Sequence, residues 1–421
     1  MGCAVLAAAR LDSVPMPDFR SPEFLLGHVR HTLSFYESRC IDATGGFFHF
    51  YKDDGTVYDR RTRHLVSSTR FVFNHAMAFR HFGKAEQQAA VRHGLDFLKR
   101  AHAQPQGGYA WQVDWQGDVD GGRATVQDGT NHCYGLAFVL LAHAHALLAG
   151  VKVARVGLEA TWDLMEQRFW EPRNGLYADE ASPDWQLSGY RGQNANMHSC
   201  EAMMAAYEAT REPRYLQRAL TLAESVTGRL AALADGLVWE HYAVAPDGSW
   251  SLDPDYNRDD KTNIFRPWGY QTGHLTEWAK LLMQLERWLP EAQRPAWIVP
   301  RARHFFDTAM ARGWDDVHGG LVYGFAPDGT VCDADKYFWV QAESFAAAAL
   351  LALRTGDAAY WSWYDRLWAY AWQHFVDHEH GAWYRILGPD NRKLSDEKSP
   401  AGKTDYHTMG ACYDVLRGLG V

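Results

Sequence analysis

The chain lacks any apolar run that could cross a bilayer. Its longest, about Phe345 to Leu353, falls far short of the roughly 20 residues a spanning helix needs. It also lacks a basic excess. With 42 Lys+Arg against 51 Asp+Glu, a net charge of −9 repels a polyanion over most of the surface, so no nucleic-acid partner is expected. Cysteine is sparse and unpatterned: Cys3, Cys40, Cys133, Cys200, Cys332 and Cys412 include no CxxC pair. That spacing argues against a disulfide framework and a structural zinc site, and for reduced thiols. The stretch Met1–Ala9 has neither a basic start nor a clear cleavage site. We therefore expect a cytoplasmic protein, with residues 1–16 as a leader without an assigned role and 17–421 as one domain.

Aromatic residues are abundant, with 18 Trp, 20 Tyr and 20 Phe, and most of them are expected in a large helical core rather than a cleft. A short pattern, glycine followed by apolar or aromatic residues, occurs six times. Its key glycines are 46, 108, 175, 236, 320 and 381, separated by 62, 67, 61, 84 and 61 residues. Such a period suits two helices plus connections. Each glycine follows a helical pattern and is expected to end that helix in the left-handed conformation, with a short strand or turn after it.

The less buried helical patterns run about Phe24–Glu37, Gln87–Ala101, Val156–Phe169, Tyr215–Leu230, Pro300–Ala311 and Asp357–Phe375. A second set, richer in Ala, Met and Leu, runs about Ser68–Phe82, His132–Leu148, Asn196–Ala209, His274–Leu289, Phe338–Leu353 and Tyr406–Leu419. Six such hairpins bury their inner faces by closing into a ring, so the expected class is all-α, an (α/α)6 barrel. An open superhelix of six repeats is the alternative.

Polar residues that are costly to bury recur near the starts of the inner helices: Arg70, Tyr134, Asn194 and His198, His274, Trp339 and Glu343, and His407. In a closed ring those starts surround one mouth. Helix N-termini favour a site where negative charge develops on oxygen. Two inner helices carry His-x-x-Glu, as His198/Glu201 and His274/Glu277, a spacing that lets each carboxylate orient its imidazole. Metal ligation by the same residues is the competing reading, and no metal or cofactor is expected. The longest insertion holds Asp253–Asp260 and Phe265–Gly269 just before His274, and we read it as a lid or rim.

Arg191-Gly192-Gln193-Asn194-Ala195-Asn196-Met197-His198, then Glu201-Ala202, together with Gly273-His274-x-x-Glu277-Trp278 and Tyr406-His407, resemble the N-acylglucosamine 2-epimerase superfamily. The resemblance covers about Phe24 to Leu419. It implies an (α/α)6 barrel acting on a monosaccharide. It also implies that Arg70, Tyr134, Asn194, Trp339 and Glu343, with Glu201, bind the sugar while His198, His274 and His407 surround its reacting end. Asp255-Tyr256-Asn257-Arg258-Asp259 and Phe265-Arg266 are most similar to the mannose isomerase branch.

Both reactions of that superfamily remove a C2 proton and stabilise an enediolate. Isomerisation returns the proton to C1, and epimerisation returns it to C2 from the opposite face. The sequence offers His274 and His407 as the proton-transfer pair, with Glu277 orienting His274 and His198 assisting ring opening or the oxyanion. The expected function is mannose–fructose isomerisation. The alternatives are 2-epimerisation of mannose, cellobiose or N-acylglucosamine, and an (α/α)6 glycan hydrolase or non-catalytic sugar-binding protein. A monomer or homodimer is expected.

Overall fold

The computed structural model describes residues 16–118, 121–260, 263 and 265–421. Apart from Met16 the expected leader, and with it Cys3, lies outside those residues. Among the described residues twelve α-helices alternate between two layers. The outer layer comprises α1 (Pro22–Glu37), α3 (Ala85–Phe97), α5 (Ala154–Arg168), α7 (Pro213–Glu224), α9 (Ile298–Gly313) and α11 (Ala358–His374). The inner layer comprises α2 (Leu65–Phe82), α4 (Cys133–Leu148), α6 (Gln193–Thr210), α8 (Thr272–Trp288), α10 (Phe338–Thr355) and α12 (Tyr406–Leu419). Both sets match the sequence periodicity, although α3 and α7 each finish in a π-helical turn, at Leu98–His102 and Ser225–Leu230.

The inner helices are apolar nearly all round because they are covered on both sides. In α4 the run from Gly135 to Ala146 is buried, and in α10 the run from Val340 to Ala352. The outer helices bury one stripe; α7 turns in Tyr215, Ala219, Leu222 and Ala223. Each inner helix packs on the next, and α12 returns to α2, while α1 lies against α12. The ring is therefore closed, an (α/α)6 barrel. Its seam is stitched by chain ends: Phe50–Lys52 pairs with Glu397–Ser399. The Tyr36 hydroxyl on α1 donates to Asp405 Oδ2 at 2.6 Å, where the chain enters α12.

Short strands fix the mouth. Thr62–His64, Asn131–His132, Tyr190–Gly192, Tyr270–Gln271 and Lys336–Tyr337 each run straight into an inner helix, pinning the starts of α2, α4, α6, α8 and α10 to small antiparallel sheets at one end of the barrel.

The six repeat glycines all have positive φ, but they do not end helices as expected. The outer helices stop at residues such as Ser38, Trp314 and Phe375, none left-handed. Five of the glycines instead lie in tight loops closed by short antiparallel pairings, as in Ile41 with Phe47, Trp314 with Leu321 and Val376 with Trp383, while the Gly236 N–H donates back to the Ala231 carbonyl at 2.9 Å. Left-handed caps occur on inner helices, at Gly83, Arg211, Gly356 and Gly420. The loop rather than the helix end needs the unusual backbone, because it must reverse within a few residues under a packed aromatic.

Gly320 shows this most directly. Its φ is +80°, and an added Cβ would fall 2.3 Å from the Tyr370 ring. Gly320→Ala is expected to destabilise the fold by about 2–4 kcal/mol, combining backbone strain with overpacking. Gly356→Ala, at φ +71° with nothing within 4 Å of the added Cβ, is expected to cost only about 1 kcal/mol. Thermal melting of the two variants checks the difference.

Candidate active site

A cavity opens at the end of the barrel where the inner helices begin. Arg70, Tyr134, Asn194, His198, His274, Glu277, Trp339 and His407 all line it, contributed by all six inner helices. Residues up to 337 positions apart thus meet around one space, as ring closure requires. Glu277 is its one carboxylate among the described residues. Phe265 and Pro267, from the long insertion, form part of the rim.

Each of the three imidazoles is held at Nδ1 by a carboxylate. His198 Nδ1 lies 3.0 Å from Glu201 Oε2, His274 Nδ1 lies 2.9 Å from Glu240 Oε1, and His407 Nδ1 lies 2.7 Å from Glu343 Oε1. A carboxylate accepts, so Nδ1 carries the hydrogen and Nε2 is left with its lone pair on the cavity side. Around His274 the network runs further, and the Gln193 amide nitrogen also lies 3.1 Å from His274 Nδ1. The Trp278 indole donates to Gln193 Oε1 at 2.8 Å, which turns the Gln193 amide nitrogen towards Glu240 Oε2 at 3.0 Å. The Trp339 ring stands between two of the imidazoles, 5.0 Å from His274 and 5.7 Å from His407 by ring centres.

Two expectations change here. Glu277 does not orient His274, because Glu240 has taken that Nδ1 and both Glu277 oxygens are buried without a hydrogen-bond partner. Glu201 and Glu343 do not line that cavity. They lie behind His198 and His407 and border a second cavity towards the other end of the barrel. Each stands one helical turn beyond a mouth residue, Glu201 after His198 and Glu343 after Trp339, which places it deeper along the axis. Sequence reasoning missed Glu240, which lies on the strand-like return after Gly236. No helical spacing links it to His274, and only its proximity across the barrel reveals the pair.

Arg70 Nη1 donates to the Gly402 carbonyl at 2.5 Å and Nη2 to the Tyr134 hydroxyl at 3.1 Å, with its guanidinium over the Phe138 and Tyr406 rings. Its Nε and Asn194 Oδ1 are buried without partners. The histidines without a placement argument are structural. His64 caps α2, and His143 bonds within its own helix at 2.9 Å to the Val139 carbonyl.

Burial pushes the Glu277 carboxyl well above the usual carboxylate range, and the neighbouring Glu343 charge adds to this, which favours its protonated form. Burial likewise lowers His198, and lowers His407 well below the ordinary imidazole value, with the Arg70 charge contributing. For Glu201 burial acts upward, but the bond from His198, the Lys280 charge and the Tyr406 hydroxyl outweigh it and hold the carboxyl at about 2.

Among the described residues three sets lie close enough to share an ion: His198 with Glu201 and Glu277, Glu277 with Glu343 and His407, and His132 with Asp179 and Glu180. In the first two, the Nδ1 atoms are already engaged, and Lys280 Nζ lies 2.5 Å from Glu343. In the third, Arg266 Nη2 lies 2.5 Å from Glu180 and 3.3 Å from Asp179. Protein cations stand where an ion would bind, so we assign no metal ligand.

The family model described as N-acylglucosamine 2-epimerase matches residues 46–411. A D-mannose isomerase of Marinomonas mediterranea is 54% identical over 405 residues, covering 96% of this chain and 99% of that protein. A crystal structure of a D-mannose isomerase superposes with a TM-score of 0.90 at 52% identity, covering 96% of this chain and 100% of that one. The cellobiose 2-epimerase of Spirochaeta thermophila shares the fold, with a TM-score of 0.81 at 23% identity over 95% of this chain and 96% of that one.

The lowered imidazoles give a direct check. Histidine nitrogen NMR, assigned with His198→Gln and His407→Gln, is expected to show both rings neutral from about pH 6 to 8, across the range where a free imidazole titrates. Protonation of either ring within that range would contradict the electrostatics described.

Proposed function

The chain belongs to the N-acylglucosamine 2-epimerase family, and on that premise we propose that it is a metal-independent D-mannose isomerase forming D-fructose through a cis-enediol. The observation that carries this reading is the set of imidazoles whose Nδ1 atoms are tied to carboxylates, leaving Nε2 to meet the substrate. The high identity to a D-mannose isomerase along nearly the whole chain selects the sugar.

The open-chain aldose presents a C2–H that is a poor acid, so a base must stand close and the forming oxyanion must be met by donors. His407 Nε2 takes the C2 proton, and the imidazolium that forms is stabilised through Nδ1–H by Glu343. As electrons move onto O1, the protonated Glu277 gives O1 its proton and Arg70 supplies positive charge. Glu277, now a carboxylate, takes the O2 proton as the C2 carbonyl forms, and His407 returns its proton to C1. Atoms and charge balance, with both residues restored. His274, across Trp339, serves ring opening, and His198, held by Glu201 from behind, borders the same end of the cavity.

One observation favours a second reading. His274 and His407 both face the cavity on either side of Trp339, the two-base arrangement that 2-epimerisation needs. A hydrolase would need two carboxylates across the scissile bond, and Glu277 alone lines the cavity among the described residues. The proposal includes a cytoplasmic location, supported by the buried thiols of Cys40, Cys133, Cys200 and Cys412, none of them in a disulfide. It also holds that one chain suffices as monomer or within a homodimer, since every site residue named comes from it.

Incubation with D-mannose is expected to yield D-fructose without D-glucose, and glucose as the main product selects the epimerase reading. A chelator is expected to leave the rate unchanged. His407→Ala is expected to lose hydrogen exchange at C2 by about 10²-fold or more; near wild-type exchange in that variant would reject His407 as the base.

A further inference from the structure

Beneath the cavity lies a buried cation to which the chemistry above gives no part. Lys280 follows Glu277 by one turn of α8 and is 3% exposed. Its Nζ lies 2.5 Å from Glu343 Oε2 and 3.6 Å from Asp414 Oδ2. Because Glu343 Oε1 is 2.7 Å from His407 Nδ1, a continuous chain runs Asp414, Lys280, Glu343, His407 from the second cavity up to the mouth. A buried ammonium is costly unless it is paired. A packed barrel core could fill this place with an apolar side chain, so its presence asks for a purpose.

We propose that Lys280 is a positioning residue: its ammonium keeps Glu343 as the acceptor for His407 Nδ1–H and thereby leaves His407 Nε2 as the proton acceptor that faces the sugar. The reasoning is one of hydrogen-bond bookkeeping. Glu343 is surrounded by carboxyl groups: Glu201 of α6, Glu277 of α8 and Asp414 of α12 all act on the same cation. Burial pushes the Glu343 carboxyl up, and Lys280 opposes that push. Without the ammonium, Glu343 takes up a proton and becomes a donor. It then donates to His407 Nδ1, the ring hydrogen moves to Nε2, and the lone pair needed at C2 turns away. The other charges on His407 are Arg70 and Glu201, with His198 beside it, and none of them touches Nδ1.

The inference rests on the isomerase reading but can be tested without substrate. In the full-length protein, histidine nitrogen NMR is expected to show His407 with its hydrogen on Nδ1 in the wild type and on Nε2 in Lys280→Met. Lys280→Met is expected to lower kcat by about 10²-fold near neutral pH while KM stays within about threefold. The variant's kcat is expected to rise with pH where the wild type is level, because Glu343 then ionises only at higher pH. In a Glu343→Gln background, where no carboxylate needs a counter-charge, the same substitution is expected to change kcat by less than about threefold. Lys280→Gln keeps a donor without charge and serves where Lys280→Met does not fold. A wild-type tautomer at His407 in the folded variant, or a kcat loss that is independent of pH and undiminished in Glu343→Gln, overturns the proposal. Failure of the wild type to form fructose from mannose overturns the isomerase reading and leaves the tautomer result standing.

Discussion

Everything in the site depends on which ring nitrogen of each imidazole carries the hydrogen. A neutral histidine has one donor and one acceptor nitrogen, and a carboxylate at Nδ1 settles which is which. Glu201, Glu240 and Glu343 do this for His198, His274 and His407. Were those carboxylates exposed, water would compete for them and the rings would sample both tautomers. Burial makes the choice firm, but buried carboxylates need compensation. Tyr406 supplies it for Glu201, the Gln193 amide for Glu240 and Lys280 for Glu343.

The barrel is what makes such burial possible. Closing six hairpins into a ring gives a wall apolar enough to exclude water and brings six helix starts to one mouth, where short strands hold them in register. The same closure explains how His407, near the C-terminus, comes to share a cavity with Arg70. The seam formed by Tyr36 and Asp405 fixes the entry to α12, so even the first helix bears on where His407 points. Glu277 belongs to the same logic, since burial among like charges pushes its carboxyl towards the protonated form.

Much of the fold was legible in the sequence because period and spacing are local properties. The twelve helices follow from apolar periodicity, and ring closure from six repeats that cannot cover their inner faces alone. The glycines were misplaced by function rather than by position: Gly320 needs its left-handed backbone for a loop reversing beneath Tyr370. Within the site, the mouth residues were legible because they sit at helix starts in register with the repeat. Their partners were not. His198 and Glu201 do pair at a spacing of three, yet the identical spacing of His274 and Glu277 does not, because Glu240 arrives from a non-helical segment and takes the Nδ1. Side-chain competition of that kind is a tertiary event. Lys280 carried no signal either, since a lysine on an amphipathic helix usually faces water.

Whether a fixed neutral imidazole carries a proton along one face of an enediol is written in the hydrogen label of the product. After many reversible turnovers of D-mannose in deuterium oxide, proton NMR of the fructose is expected to show deuterium at C1 in a single configuration. Deuterium in both C1 positions, or fructose formed with no solvent deuterium at all, would contradict it.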